Sequence, residues 1–130
     1  MQENHLFEYA VIRIVPQVER EEFINTGVVL YCPKQKFLRA EVHLDTCRLK
    51  SFCVETDLDE LQGYITAFIE ICSGSVAGGP IGKLSLPERF RWLTARRSTI
   101  IQTSMVHPGL CPDADVMLMR LYSQLVSKIR

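Results

Sequence analysis

Within fifteen residues the chain places Lys83, Arg89, Arg91, Arg96 and Arg97, opposed only by Glu88. Guanidinium groups grip phosphate or carboxylate through paired N–H donors, and hydroxyls complete such a shell. Arg96-Arg97-Ser98-Thr99 supplies both groups, with Gln102 and His107 close behind. Arg13 interrupts an apolar run, and Asn25 sits in Asn25-Thr26-Gly27, a tripeptide suited to a tight turn or a bulge. Together they define a candidate anion- or partner-binding set: Arg13, Asn25, Arg96, Arg97, Ser98, Gln102 and His107. A solvated helix face, with Arg89 and Arg91 pointing outward, accounts for part of the same cluster without a ligand. The charge of Arg13 needs a partner or a route to solvent, and Glu22, Glu41 or Asp45 could be that partner. Trp92, inside the cluster, is read as a core anchor rather than a base-stacking platform.

Other chemistry is harder to assemble. A phosphate-binding loop ending at Gly82-Lys83 requires a glycine at 77 and a hydroxyl residue at 84, where this chain has Ala77 and Leu84. Pro80 also removes a backbone donor, and a helix rather than a strand precedes the loop. His43 with Cys47, then Cys53, and His107 with Cys111 are loose pairs, without the tight Cys-x-x-Cys spacing of a zinc site. No nucleophile elbow occurs. The carboxylates Asp57, Asp59 and Glu60, like Asp113 and Asp115, fall at helix starts, where capping explains them. The expectation is therefore no catalytic residue, no metal and no cofactor.

These residues need elements to hold them. Phe7–Val15 is β-branched and aromatic and apolar on both sides, the pattern of a central strand covered on both faces. Val28–Cys32 and the alternating Phe37–Leu44 flank the turn Pro33-Lys34-Gln35-Lys36 and predict an antiparallel hairpin. Asp57–Cys72 carries Leu58, Leu61, Ile65, Phe68 and Cys72 on one helical stripe, with Thr56 or Asp57 as its cap. Residues 73–84 hold four of the seven glycines and predict a flexible connection. Ser85-Leu86-Pro87-Glu88 reads as a capping box opening a short helix through Trp92. Thr99–Val106 predicts a fourth strand, broken by His107-Pro108-Gly109. Asp113–Ile129 predicts a last helix, with Lys128 and Arg130 favouring its final turn. Strands followed by helices argue a single α+β domain over residues 1–130, with helices packed on a mostly antiparallel sheet of about four strands in β-β-β-α-α-β-α order.

Composition narrows the class. With 130 residues, 47% hydrophobic and 23% charged, the chain fits one globular domain, and disorder, collagen-like repeats and a coiled-coil rod are excluded. Fifteen basic and fifteen acidic side chains exclude a uniformly basic nucleic-acid binder. The neutrality is a cancellation. Residues 1–72 hold 7 basic and 12 acidic side chains, residues 73–130 hold 8 and 3, so the halves carry −5 and +5. A basic patch stays open, as does complementarity between the halves or with a second copy. No membrane span or signal peptide is visible, and five irregularly spaced cysteines suit reduced thiols in the cytoplasm.

The run Tyr9-Ala10-Val11-Ile12-Arg13 with Pro16, then Phe23-Ile24-Asn25-Thr26-Gly27-Val28-Val29-Leu30, resembles the opening of an uncharacterised bacterial family, domain-of-unknown-function family 3037. Arg97-Ser98-Thr99-Ile100-Ile101-Gln102 and His107-Pro108-Gly109-Leu110 resemble its second signature. The resemblance implies a small bacterial cytoplasmic protein without assigned activity or catalytic residues. It also implies genes often lying beside one for a kinase-like protein similar to persistence toxins, which suggests a partner or regulator role. The leading expectation is a non-enzymatic accessory protein that binds another protein, a kinase-like one or itself. The alternatives are an anion-binding or phosphate-processing protein using Arg13, Arg96, Arg97, Ser98, Gln102 and His107 around one pocket, and nucleic-acid binding through residues 83–97.

Overall fold

Strand β1 (His5–Ile14) is apolar on both sides and lies inside the sheet, covered on both faces. The computed structural model describes residues 3–127, so the predicted helix stripe at Ile129 and the charges of Lys128 and Arg130 lie outside the described residues. On one side β1 pairs with β2 (Ile24–Cys32), which pairs in turn with β3 (Phe37–Val42). Its other side is shared by β4 (Ile101–Thr103) at one end and β5 (His107–Cys111) at the other. Every ladder is antiparallel. The fold is a single α+β domain, as the order of elements predicts.

Alternation along the strands builds two cores. Ala10, Ile12, Val29, Tyr31 and Leu38 face α2 (Leu58–Ser73) and α4 (Leu86–Leu93) through Phe68, Ile71, Phe90 and Leu93. Phe7, Val28, Leu30 and Cys32 face α5 (Ala114–Leu125) through Ala114 and Leu118. Ile14, Ile24 and Leu61 form a third cluster with Leu49 of α1 (Thr46–Phe52). Helix α1 is absent from the sequence prediction. At seven residues with one buried side chain it has no periodicity to detect, and only the Asp45 carboxylate, accepting from Arg48 N at 3.0 Å, marks its start.

The caps behave as their residue types dictate. Asp57 accepts from Glu60 N at 3.1 Å, Ser85 and Glu88 form the capping box, and Asp113 accepts from Asp115 N at 3.0 Å. Residues 73–84, expected to be a flexible connection, are shaped into a 3-10 turn at Val76–Gly78 and one turn of helix, α3 (Gly79–Gly82).

Two irregularities set the sheet's geometry. Ile12 pairs with Gly27 but Arg13 with Asn25, so Thr26 is an extra residue and Asn25-Thr26-Gly27 is a bulge within β2, which starts four residues earlier than predicted. Thr26 Oγ1 donates to the His43 carbonyl at 2.7 Å and locks the bulge to the chain leaving β3. The second corrects the reading of His107-Pro108-Gly109 as a strand breaker, for these residues open β5 and pair with Tyr9, Glu8 and Phe7. An edge strand tolerates proline when its missing N–H is not needed by the ladder. The break falls earlier, where Ser104 Oγ accepts from Val11 N at 2.8 Å, and the register with β1 slips by one residue between Thr103 and His107. Among the described residues no single helix is long and apolar enough to cross a membrane.

Gly27 is pressed against β3: a Cβ there would lie 2.5 Å from the Glu41 carbonyl oxygen and 2.9 Å from Val42 Cγ2. Gly63, exposed in α2, has nothing within 4 Å. Urea unfolding should show Gly27→Ala destabilising by about 2 kcal/mol through overpacking. The same measurement should show Gly63→Ala stabilising by roughly 0.5–1 kcal/mol through helix propensity. Equal midpoints for the two variants would contradict this account of the sheet.

Candidate functional site

The seven candidates do not share one pocket. Asn25, Arg13 and Gln102 form a row across β2, β1 and β4, directly opposite one another. Arg13 is not held by Glu22, Glu41 or Asp45. Its guanidinium lies 4.0 Å over the ring of Phe23, while Glu22 pairs with Arg20, Glu41 stands 3.8 Å from Arg39, and Asp45 caps α1. A cation over an aromatic face gains from the ring quadrupole, which answers the charge without a carboxylate. Asn25 Nδ2 donates to the Leu125 carbonyl at 3.2 Å at the end of α5, beside a cavity of about 310 Å³ lined by His43, Arg48 and Tyr122. Gln102 Nε2 donates to the Thr99 carbonyl at 2.8 Å. Arg96 and Ser98 are exposed on the connection from α4 to β4. His107 is exposed on β5, with its ring 5.4 Å from Tyr9. Arg97 stands elsewhere, with its guanidinium 4.3 Å over Trp92 and donating to the Trp92 carbonyl.

The basic cluster loses one member to the interior. Arg89 points inward, not outward, and is 9% exposed. Its Nη1 donates to the carbonyls of Ile71 and Cys72 at 2.9 and 2.8 Å, and its Nε to Leu84 at 3.0 Å. The first two carbonyls belong to the last turn of α2, where the helix dipole is negative and a cation is stabilised. Gly74 ends that helix at φ 71°, and a Cβ on it would lie 2.8 Å from Arg89 Nη1. Glycine is required there twice over, for its left-handed backbone and for the guanidinium beside it.

Holding α2 against α4 leaves an open groove of about 480 Å³ between them and β4. Tyr64, Phe68 and Ile71 form one wall, Trp92 and Leu93 another, and Thr99–Thr103 the floor along β4, with Arg97 and Glu60 at the rim. Tyr64 is 47% and Trp92 39% exposed, so Trp92 is a groove wall rather than a core anchor. Arg97 and Gln102 are the two sequence candidates this groove brings together. Sequence reasoning missed Tyr64, because it falls off the apolar stripe of α2. Its signal was that misfit, an aromatic on the face a solvated helix gives to polar residues.

The tyrosine of the groove and two buried thiols elsewhere are held in their protonated forms. Tyr64 donates to Glu60 at 2.9 Å, and that hydrogen bond raises the phenol above its ordinary value. Burial pushes the Cys72 thiol up to about 12, despite the opposing pull of Arg89. Burial and the neighbouring Cys32 raise Cys111. A thiol needs a depressed pKa to be a nucleophile near neutral pH. Among the described residues no three His, Cys, Asp or Glu side chains stand together as a metal site.

A family model described as "Protein of unknown function (DUF3037)" matches residues 9–126. No curated protein and no solved structure matches the chain.

Two measurements check this geometry. Arg89→Met leaves the Cys72 and Leu84 carbonyls without this donor and Ile71 with Gly74 N alone, and should cost about 3 kcal/mol in urea unfolding, whereas Arg91→Met on the exposed face should stay within about 0.5 kcal/mol. In native protein at pH 8, iodoacetamide should label exposed Cys47 first and leave Cys32, Cys72 and Cys111 unmodified until urea is added. Rapid native labelling of Cys72 would contradict its burial.

Proposed function

The chain belongs to the DUF3037 family of proteins of unknown function, and from the groove between α2, α4 and β4 we propose that it is a non-enzymatic accessory protein that acts by binding another protein. One observation carries this reading: Tyr64, Trp92 and Arg97 stand together, partly exposed, around an apolar depression in a small domain. Tyrosine, tryptophan and arginine are the residue types that dominate binding energy at protein interfaces, because they bury large area and keep a polar handle. The stacked pair Arg97–Trp92 is ordered before any partner arrives, which lowers the entropic cost of association. A bacterial cytoplasmic setting and a kinase-like partner, both suggested by the family resemblance, are compatible with such a groove.

The competing readings have less support. An anion site needs Arg13, Arg96, Ser98 and His107 around one cavity, and none of them lines either cavity described above. A nucleic-acid surface over residues 83–97 needs its arginines at the surface, and Arg89 is committed to the end of α2.

A photo-crosslinking amino acid placed at Ala67, on the groove, and separately at Gln124, on α5, separates the faces. In the native host position 67 should yield one discrete covalent partner that position 124 does not. Trp92→Ala should weaken binding of that partner by about 2 kcal/mol, roughly 30-fold, with an unchanged melting temperature. Adducts from position 124 alone, or unchanged affinity of Trp92→Ala, would overturn the proposal.

A further inference from the structure

Beside this groove, among the described residues, the outer edge of β4 has no strand on it. Val15 N donates to the Ile100 carbonyl at 2.7 Å and Ser104 N to the Val11 carbonyl at 2.8 Å. In an antiparallel ladder the bonded pairs alternate, so Ile100, Gln102 and Ser104 face β1. The backbone N–H and C=O of Ile101 and Thr103 therefore face away from it, onto the side where Thr99–Thr103 form the groove's floor. Edge strands are ordinarily blunted by charge, proline or a bulge. The other strand on this side of β1 is blunted, since β5 carries Pro108 and Gly109. Strand β4 reads Ile101-Gln102-Thr103, without charge or proline, and the Thr99 hydroxyl alone reaches over it, donating to the Ile101 carbonyl at 2.7 Å.

The rim supplies the second constraint. Among the described residues Arg97, which lines the groove, has no carboxylate within ion-pairing distance, and neither have Arg91 and Arg96 outside it. A guanidinium has five N–H donors in a fixed fork, and Arg97 shows one hydrogen bond, to the Trp92 carbonyl. That leaves a planar, positively charged fork at one end of an apolar trough.

Resting on the protein-binding reading and specifying its occupant, we propose that the groove takes an extended acidic–apolar segment of a partner, added as a strand to the free edge of β4. Main-chain hydrogen bonds run to Ile101 and Thr103. Alternate side chains of the segment point into the groove, where an apolar one fills the space between Tyr64, Phe68 and Trp92 and a carboxylate meets Arg97. Strand addition gives affinity through the main chain and specificity through such alternate pockets.

The probe is a display library of random nine-residue peptides selected on the full chain, with winners resynthesised and measured by fluorescence anisotropy. Enriched peptides should alternate apolar residues and contain an acidic one. N-methylating their amides one at a time should abolish binding at every second position only. Thr103→Pro removes one outward N–H and none of the bonds to β1, so it should weaken binding at least tenfold with an unchanged melting temperature. Arg97→Glu should reverse the charge preference of the selected peptides. Peptides that lose binding on Trp92→Ala but keep it on Thr103→Pro would overturn strand addition and leave groove binding intact. Selected peptides without acidic residues, indifferent to Arg97→Glu, would overturn the charge assignment. No enrichment at all would count against the extended-segment occupant, while crosslinking from position 67 still decides whether the groove binds a protein.

Discussion

A guanidinium with no carboxylate beside it, buried at the end of a helix, is the contact on which the groove between α2, α4 and β4 rests. Arg89 faces the carbonyls of Ile71 and Cys72 and reaches back to Leu84. Burying a cation costs several kcal/mol unless its donors are satisfied, and the open end of a helix is one of few places where carbonyls are free to satisfy them. The consequence is geometric. Helix α4 cannot slide along α2 without stranding both the charge and the carbonyls, so the spacing of Tyr64 and Phe68 from Trp92 is held from within. The glycine-rich segment is shaped by the same contact, since Gly74 leaves the space that Arg89 Nη1 occupies.

The sheet makes the other half of the groove. A central strand covered on both faces leaves little freedom in register, because a slip of one residue exchanges its two cores. The slips that occur are confined to bulges, at Thr26 and after Ser104. The second divides what would be one long edge into β4 and β5. Pro108 and Gly109 protect β5, while β4 is short and bordered by aromatic side chains. A three-residue edge invites little indiscriminate pairing.

Features written in local chemistry were legible before any coordinates. Asp57, Ser85 with Glu88, and Asp113 cap where their types predict, and the stripe of α2 buries Leu61, Ile65, Phe68 and Cys72. The central strand follows from its apolar character on both sides, and the hairpin through Pro33–Lys36 from the turn and the alternation that follows it. Features that depend on distant chain were not legible. Nothing near Arg89 distinguishes it from Arg91, for its acceptors lie about five and eighteen residues away. His107-Pro108-Gly109 reads as a breaker because local propensity weighs against it, and pairing with Glu8 and Phe7 overrides that propensity. The candidate site was half visible: Arg97 and Gln102 were singled out by type, whereas Tyr64 enters the groove only because α4 is held beside it.

The charge division between the halves gains meaning from the ion pairs. If the acidic front and basic back neutralised each other, bridges would run from front acids to back bases. Among the described residues the cross-half bridge runs the other way, from Arg39 of β3 to Asp115 of α5 at 2.8 Å. It uses a base of the acidic half and an acid of the basic half, leaving each excess larger than before. Of the basic back, Arg89 is consumed by helix carbonyls, while Arg91, Arg96 and Arg97 remain around the path from α4 to β4. Exposed like charges repel, and of the three Arg97 recovers contacts within the fold, its stack on Trp92 and its hydrogen bond to the Trp92 carbonyl. Of the three, Arg97 lines the apolar groove, so the positive excess of the back half reaches the groove through that side chain.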